Sequence, residues 1–384
     1  MMMTTHHLHH QLSTPLRKHR DRQKKTTSKR NMPGQETRQW VVAKHPHADP
    51  VLEGEDATFK LQTTTLPAPG PDEVLIKTLY FSNDPAQRGW LDPTIEPERL
   101  YVPPVQKGEV MRSGAIAQVV ESNAASLSKG QLVVGTVGWT EYAVVPAKAV
   151  RAIQADESAG IRPTHFVGAL GGTGLTAYYG LMDIARASPS DTVVVSGAAG
   201  ATGSMVVQLA KHVVGCKRVI GIAGGAQKCA WVESLGADIC VDYKAPGFEQ
   251  ALKAATQGFV EVYFDNVGGD ILSLMLGRMK RHGRIAACGA VATYNSMADS
   301  GVKNWFEIIS NRIEVRGFIV LDVMESGKAG AYIQELIKAV KAGKIQVGPE
   351  TETVVPTKFE DVPSTWTMLF KGGNTGKLVT ELKA

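Results

Sequence analysis

The residues best placed to do chemistry begin with a run of glycines. Val193-Val194-Val195-Ser196 reads as a buried strand, and Gly197-Ala198-Ala199-Gly200-Ala201-Thr202-Gly203-Ser204 follows it as a tight turn that opens a helix near Ser204. Small residues let the main chain approach a ligand closely, and a helix N-terminus offers unpaired N–H groups and a positive dipole end. Together they suit a pyrophosphate. The end of the next strand decides which dinucleotide it is. An NAD protein places an acid about twenty residues on to hold the ribose hydroxyls, but Ala223-Gly224-Gly225 stands there, and Lys228 follows as a counter-charge for a 2′-phosphate. NADP(H) is therefore expected over NAD.

Other chemistries are disfavoured by what is missing. The cysteines are Cys216, Cys229, Cys240 and Cys288, all in the second half and without a C-x-x-C pair, and His45 and His47 lie in an edge segment. A zinc mechanism, a structural zinc knot and a disulfide framework are not expected, and a reducing compartment fits. Neither a G-x-S-x-G elbow nor a Cys/His spacing for covalent catalysis is present.

The elements that must position these residues fall into two textures. From Arg38, short alternating or β-branched runs (WVVA at 40, VLIKTLYF at 74, AIAQVVES at 115, QLVVGTV at 131, TEYAVVP at 140) predict an antiparallel β-rich domain. From about Phe166, strands such as TVVVSG at 192, RVIGIAGG at 218 and VEVYFDNVGG at 260 alternate with helix-length segments. That alternation predicts an α/β fold with a doubly wound parallel sheet of the Rossmann kind. ETETVVP at 350 and GKLVTEL at 376 are β-like again and return to the first domain. The expected division is an extension over 1–36, a catalytic or substrate domain over 37–165 plus 346–384, and a cofactor domain over 166–345.

The chain has 384 residues, 43% hydrophobic and 21% charged, enough for a sizeable core and more than one domain. Its net charge of +5 is unevenly placed: residues 1–35 hold eight Lys/Arg and one acid, so the extension carries +7 and the remainder −2. A nucleic-acid partner would rest on that extension alone, and none is expected. No apolar run is long enough to cross a bilayer, and no secretory signal is present, so a cytoplasmic protein without a membrane partner is expected. The alternative is mitochondrial: Leu8, Leu12 and Leu16 sit four apart beside Arg17, Lys18 and Arg20, within an otherwise polar, disordered extension, and Met32 offers a shorter start.

From about Arg38 onward the chain resembles the zinc-independent branch of the medium-chain dehydrogenase/reductase superfamily, specifically the NADPH-dependent alkenal and 15-oxoprostaglandin double-bond reductases. The resemblance is carried by SNDPAQRGWL (82–91), GEVMRSGAIAQVVES (108–122), GLTAYYGL (174–181), VVVSGAAGATGS (193–204), GIAGGAQKCAW (221–231), DYK (242–244), VYFDNVGG (262–269), CGAVATYN (288–295), GFIV (317–320) and GGNTGKLV (372–379). It implies a GroES-like antiparallel β-rich catalytic domain beside the Rossmann domain, and NADPH-dependent reduction of the activated C=C bond of α,β-unsaturated ketones or aldehydes. For the cofactor it implies Gly200, Ala201, Thr202 and Gly203 at the pyrophosphate, Lys228 and Tyr243 at the 2′-phosphate, and Thr176 on the nicotinamide side. It also implies Asn266, Cys288, Gly289, Ala290, Tyr294, Phe318, Ile319, Val320 and Asn374 along the rest.

Tyr294 is implied as the catalytic hydroxyl, and a homodimer through edge strands of the cofactor domain is implied as well. The alternatives are a quinone reductase or alcohol dehydrogenase of a specialised metabolite, and a non-catalytic NADPH-binding protein. Two departures bear on the substrate: Leu170-Gly171-Gly172-Thr173 stands where Met-Pro is usual, and Ala86-Gln87 where an aromatic–methionine pair is usual. A differently shaped pocket is expected, so the prostaglandin substrate does not carry over. Asp84 and Arg88 are expected to form an ion-paired turn at the domain junction.

Overall fold

The computed structural model describes residues 34–295 and 301–383. The basic extension through Pro33, with its targeting alternative and the Met32 start, lies outside the described residues.

The first half is built of strands β1 (Gln35–Val42), β2 (Phe59–Leu66), β3 (Glu73–Ser82), β4 (Gly114–Ser122), β5 (Leu132–Thr136), β6 (Tyr142–Pro146) and β7 (Val150–Ala152). β1 and β2 form an antiparallel pair in which Gln35 faces Leu66 and Glu36 faces Thr65. The ladder thus begins inside the stretch assigned to the extension. The polar FKLQTTTL gave little hydrophobic signal, yet its β-branched threonines complete that pairing. β3 is the hub of the main sheet, antiparallel to β4 and to β6.

The second half runs helix α1 (Gly172–Tyr179), β8 (Thr192–Ser196), α2 (Ala201–Gln208), β9 (Arg218–Ala223), α3 (Ala226–Ser234), β10 (Ile239–Asp242), α4 (Phe248–Ala255), β11 (Val260–Asp265), α5 (Gly269–Leu276), β12 (Met279–Ala287), α6 (Phe306–Asn311), β13 (Glu314–Gly317), α7 (Val320–Glu325) and α8 (Ala329–Lys341). The strands make a six-stranded parallel sheet ordered β10-β9-β8-β11-β12-β13. Val193, Val194 and Val195 are fully buried, as a central strand covered on both faces requires. The order reverses between β8 and β11, so the crevice beyond their C-terminal ends is where a ligand of this architecture sits.

Three local expectations shift. α2 starts at Ala201, three residues before Ser204, with Gly200 as its N-cap. β12 reaches back to Met279 and takes in Lys280–Gly283, whose charges had suggested the end of a helix; pairing of Val260 with Met279 overrides that local pattern. The GFIV segment is strand only through Gly317, and Val320 opens α7. After α8 the chain returns through β14 (Glu352–Thr357), α9 (Val362–Thr367) and β15 (Lys377–Leu382). β15 pairs parallel with β14 and antiparallel with β3, giving the order β14-β15-β3-β4-β5-β7 with β6 on β3.

Candidate active site

The crevice has two ends. At the first, the chain leaves β8 through Gly197, whose φ of +58° a side chain would strain, and the turn closes by Gly200 N–H donating to Gly197 O at 2.9 Å. A Cβ on Gly203 would lie 2.3 Å from that same oxygen, so only glycine lets the helix pack this close. No side chain caps α2, which leaves its first N–H groups for an external acceptor. The turn is tied to the other half by Gly376 N–H donating to Ala199 O at 2.9 Å. Asn374, three residues after Lys371, spends its amide N–H on Gly376 O and so shapes this seam.

Past β9 the two glycines make a second cradle. A Cβ on Gly224 would lie 2.8 Å from the ring of Tyr243, which is nearly half exposed over it. Asp242 accepts from Gly225 N–H (2.7 Å) and Lys244 N–H (2.9 Å), fixing both ends of this hollow. Lys228 donates to Gly372 O at 3.1 Å, and Lys244 sits 6.0 Å from the Tyr243 ring. Neither ammonium has a carboxylate partner among the described residues. Partial burial, and then the nearby Lys244, hold the Lys228 ammonium below the usual lysine value. Two unpaired cations, a bare glycine floor and an aromatic wall form an anion cradle. Lys244 was within the DYK segment but was not singled out, because one lysine after a strand carries no signal until the fold sets it beside Lys228.

At the other end, Asp265 organises the loops. Its Oδ1 accepts from Ser196 Oγ (3.0 Å), Tyr263 OH (2.7 Å), Val267 N–H (3.0 Å) and Gly268 N–H (3.0 Å). Its backbone oxygen accepts from Cys288 N–H and Gly289 N–H. Asn266 donates from its backbone to Ser196 Oγ (3.0 Å) and from its amide to Ser196 O (2.7 Å). One buried residue, through its carboxylate and its backbone oxygen, thus locks the ends of β8, β11 and β12 together. Sequence reasoning passed over Asp265, although an acid closing the apolar run VEVYF was a signal that a buried partner set awaits it.

Tyr294 follows from this scaffold. Its hydroxyl accepts a long bond from Ala290 N–H at 3.4 Å, so its own O–H is free to donate. Burial pushes its pKa above the ordinary tyrosine value; the Ala290 bond works against that rise, and Cys288, Tyr101 and Asp265 each add a smaller upward contribution. Cys288 is pushed up to about 12 by burial and by Asp265, so it is a thiol and no nucleophile. Asn295 reaches Asp49 of the first half at 2.5 Å, placing this loop against the β-rich half.

The remaining residues are less uniform. Thr176 donates to Gly172 O within α1 at 2.7 Å, and Phe318 is buried edge-on against Phe264 and Tyr179. That leaves the backbone around Ile319 and Val320, at the start of α7, as what this segment offers a ligand. Asp84 and Arg88 do not pair with each other. Asp84 takes Lys377 Nζ at 2.6 Å, whereas the buried Arg88 donates to Pro46 O (3.0 Å) and Ala48 O (3.0 Å). The turn at Asp84 fixes the reason: Gln87 Oε1 accepts Asp84 N–H, and the chain then carries Arg88 into the carbonyls of the 45–49 segment. Among the described residues no cluster of three His, Cys, Asp or Glu side chains could hold a metal, and no helix is long and apolar enough to cross a membrane.

Comparison with known proteins extends the picture. Residues 38–153 match a family described as the N-terminal domain of oxidoreductase, and 201–339 match one described as zinc-binding dehydrogenase. The chain is 38% identical to a putative NADP-dependent oxidoreductase, YfmJ, of Bacillus subtilis, covering 88% of this chain and 95% of that one. It is 35% identical to the NADPH-dependent curcumin reductase of Escherichia coli (90% and 96%) and 34% identical to prostaglandin reductase 1 of Bos taurus (89% and 98%). Among solved structures, CurA of Vibrio vulnificus in complex with NADPH superposes with a TM-score of 0.81 at 33% identity, covering 90% of this chain and 99% of that one.

Proposed function

Because the chain belongs to the zinc-independent medium-chain dehydrogenase/reductases, in the branch that holds the curcumin and prostaglandin reductases, we propose that it is an NADPH-dependent reductase of enones and alkenals. The observation that carries the reading is the pairing of an anion cradle, Lys228 and Lys244 over Gly224, with a protonated hydroxyl, Tyr294, at the far end of one crevice. When bound, NADPH supplies the hydride. Gly200, Ala201, Thr202 and Gly203 receive its pyrophosphate on the uncapped N–H groups of α2, and Lys228, Lys244 and Tyr243 meet the 2′-phosphate. Asn266, the Cys288–Ala290 loop, Thr176, Phe318–Val320 and Asn374 border the remainder.

Hydride addition at the β-carbon moves negative charge onto the carbonyl oxygen, and a donor must meet it. Tyr294 does so with an O–H whose raised pKa keeps it protonated at neutral pH, and the hydrogen bond strengthens as charge builds on the acceptor. Uptake of a proton at the α-carbon, from Tyr294 or solvent, completes the saturated carbonyl product. Small residues at Ala86 and 171–173 support a pocket shaped unlike that of the prostaglandin reductases.

The proposed division runs at residues 37–165 plus 346–384 for the substrate half and 166–345 for the cofactor half. Self-association through β13 is part of the same reading. This outer strand has one open side among the described residues and lies beside the exposed Trp305, Phe306 and Ile309. A cytoplasmic location is proposed, with mitochondrial delivery by the extension as its alternative; fractionation of the full chain beside one starting at Met32 separates them. The central test is NADPH oxidation by the purified chain with enones, alkenals, quinones and ketones. Turnover on enones or alkenals is expected; turnover on quinones or ketones alone would move the assignment, and tight NADPH binding without turnover would end the enzymatic reading.

A further inference from the structure

The guanidinium of Arg88 has no part in the chemistry assigned above, yet it is the most deeply placed charge of the β-rich half. Arg88 lies in the short helix Pro85–Leu91 and is only 1% exposed. Among the described residues no carboxylate pairs with it, and its bonds run to main-chain carbonyls: Nε donates to Ala48 O at 3.2 Å, and Nη2 to Pro46 O and Ala48 O at 3.0 Å each. A buried cation met by carbonyls alone is unfavourable unless the shape it imposes has a use. That shape is specific, because a planar fork can hold two carbonyls two residues apart and an ammonium cannot hold them in the same way. The segment is also pinned at its ends, by His45 Nε2 donating to Val105 O at 2.8 Å and by Val51 N–H donating to Thr58 Oγ1 at 3.0 Å.

What this segment carries is Asp49, the residue after Ala48. Its carboxylate accepts from Asn295 Nδ2 at 2.5 Å, a bond from the β-rich half to the cofactor half, and Asn295 directly follows Tyr294. The earlier part of that loop is tied down within the cofactor half: Val291 N–H donates to Asn266 O (3.3 Å), Ala292 N–H to Val267 O (3.2 Å) and Thr293 N–H to Ala290 O (2.9 Å). Tyr294 thus stands between anchors on the two halves. Where its hydroxyl points depends on both, and a donor misplaced by about 1 Å can cost about a hundredfold in rate.

We propose that Arg88, Asp49 and Asn295 form a strap between the two halves that positions Tyr294: Arg88 shapes the 46–48 segment, and the Asp49–Asn295 bond sets the reach of the loop. All three are positioning residues that act through the tyrosine. The strap rests on the enone-reductase reading with Tyr294 as the donor. It also gives a reason for the parting of Asp84 from Arg88, since Lys377 takes Asp84 and leaves the guanidinium to the carbonyls of the strap.

The test follows NADPH oxidation by the full chain with benzylideneacetone at about pH 8, where exposed carboxyls are ionised. Asn295→Asp sets two carboxylates against each other and should lower kcat about tenfold, while KM for the enone and the dissociation constant for NADPH move by less than about twofold. The exchange Asp49→Asn with Asn295→Asp puts a donor opposite an acceptor again at unchanged net charge, and kcat should return to within about twofold of the unaltered protein. In a Tyr294→Phe background, Asn295→Asp should change the residual kcat by less than about twofold, because the strap acts through the hydroxyl. Arg88→Lys, which loses the fork, should lower kcat about fivefold alone and add little to Asp49→Ala. Should that buried variant fail to fold, the Asp49 and Asn295 variants carry the test. A kcat that Asn295→Asp leaves unmoved, an exchange that restores nothing, or a loss that persists in full beside Tyr294→Phe overturns the proposal while leaving enone reduction standing. No NADPH oxidation by the unaltered protein with the enone overturns both readings.

Discussion

The two ends of the crevice are made of different material. The phosphate end is mostly backbone: a left-handed Gly197, glycines 200, 203 and 224 whose missing side chains are the feature, and N–H groups at the start of a helix. The reacting end is mostly side chains on loops, with Asn266 held on Ser196, Tyr294 touched by Ala290 N–H, and the neighbouring Asn295 in contact with Asp49 in the other half. A backbone site has little freedom to vary without losing the turn. A side-chain site keeps its shape through a few bonds and can change what it accepts by changing one residue. That difference matches the pattern of departures in this chain, which touch 86–87 and 170–173 and spare the glycine turn.

The comparison can be broken most sharply at Gly203. Its Cβ would meet Gly197 O at 2.3 Å, whereas one on Gly200 would meet the same atom at 3.2 Å. Gly203→Ala should therefore cost about 2–3 kcal/mol of stability and abolish measurable NADPH binding, with Gly200→Ala much milder. Thermal unfolding and cofactor titration read both; equal effects would show that the turn yields more than its geometry suggests. Next in size, Tyr294→Phe removes the donor to the developing oxyanion without changing shape, so kcat should fall about a hundredfold while NADPH affinity holds. A parallel loss of affinity would mean that the two ends are not separable. Smaller again, Lys228→Ala should weaken NADPH about tenfold and NADH hardly at all, because only one of them carries the 2′-phosphate. Lys244 remains nearby, which is why the loss stops short of complete.

The same division explains what could be read without coordinates. The glycine turn was legible because backbone sites depend on glycine and on the strand-to-helix change, both of which are local in sequence. The absence of an acid at Ala223-Gly224-Gly225 was legible for the same reason. The partners of Asp84 were not: Lys377 lies 293 residues away, and a pairing with Arg88 four residues on was the only one visible locally. Asp265 escaped notice because its role arises from the convergence of three strand ends. Phe318 matched a cofactor-lining segment, yet its ring went to the core beside Gly180, where even a Cβ would lie 2.4 Å from it. Parallel strands were recoverable from alternation, whereas the exact limits of β12 and β13 depended on neighbours.

The finest way to separate the two ends is pH. Burial and Lys244 lower the Lys228 pKa from its ordinary 10.5, so the free protein loses that positive charge earlier in alkali than an exposed lysine would. Burial raises the Tyr294 pKa from its ordinary 10.0, so the hydroxyl keeps its proton beyond the point where an exposed tyrosine ionises. The signs are opposite in consequence: the phosphate cradle is cationic, and strong, below the Lys228 pKa, and the oxyanion donor persists until the Tyr294 pKa is passed. As pH rises, the dissociation constant for NADPH should therefore climb while kcat at saturating cofactor stays level. NADH, which does not engage Lys228 through a 2′-phosphate, should show little of that climb. Lys228→Arg, whose charge does not titrate in this range, should flatten the NADPH curve and leave the kcat profile where it was. If kcat instead fell first, Tyr294 would be more exposed in the working enzyme than its surroundings imply, and the contrast between a backbone end and a side-chain end would lose its electrostatic half.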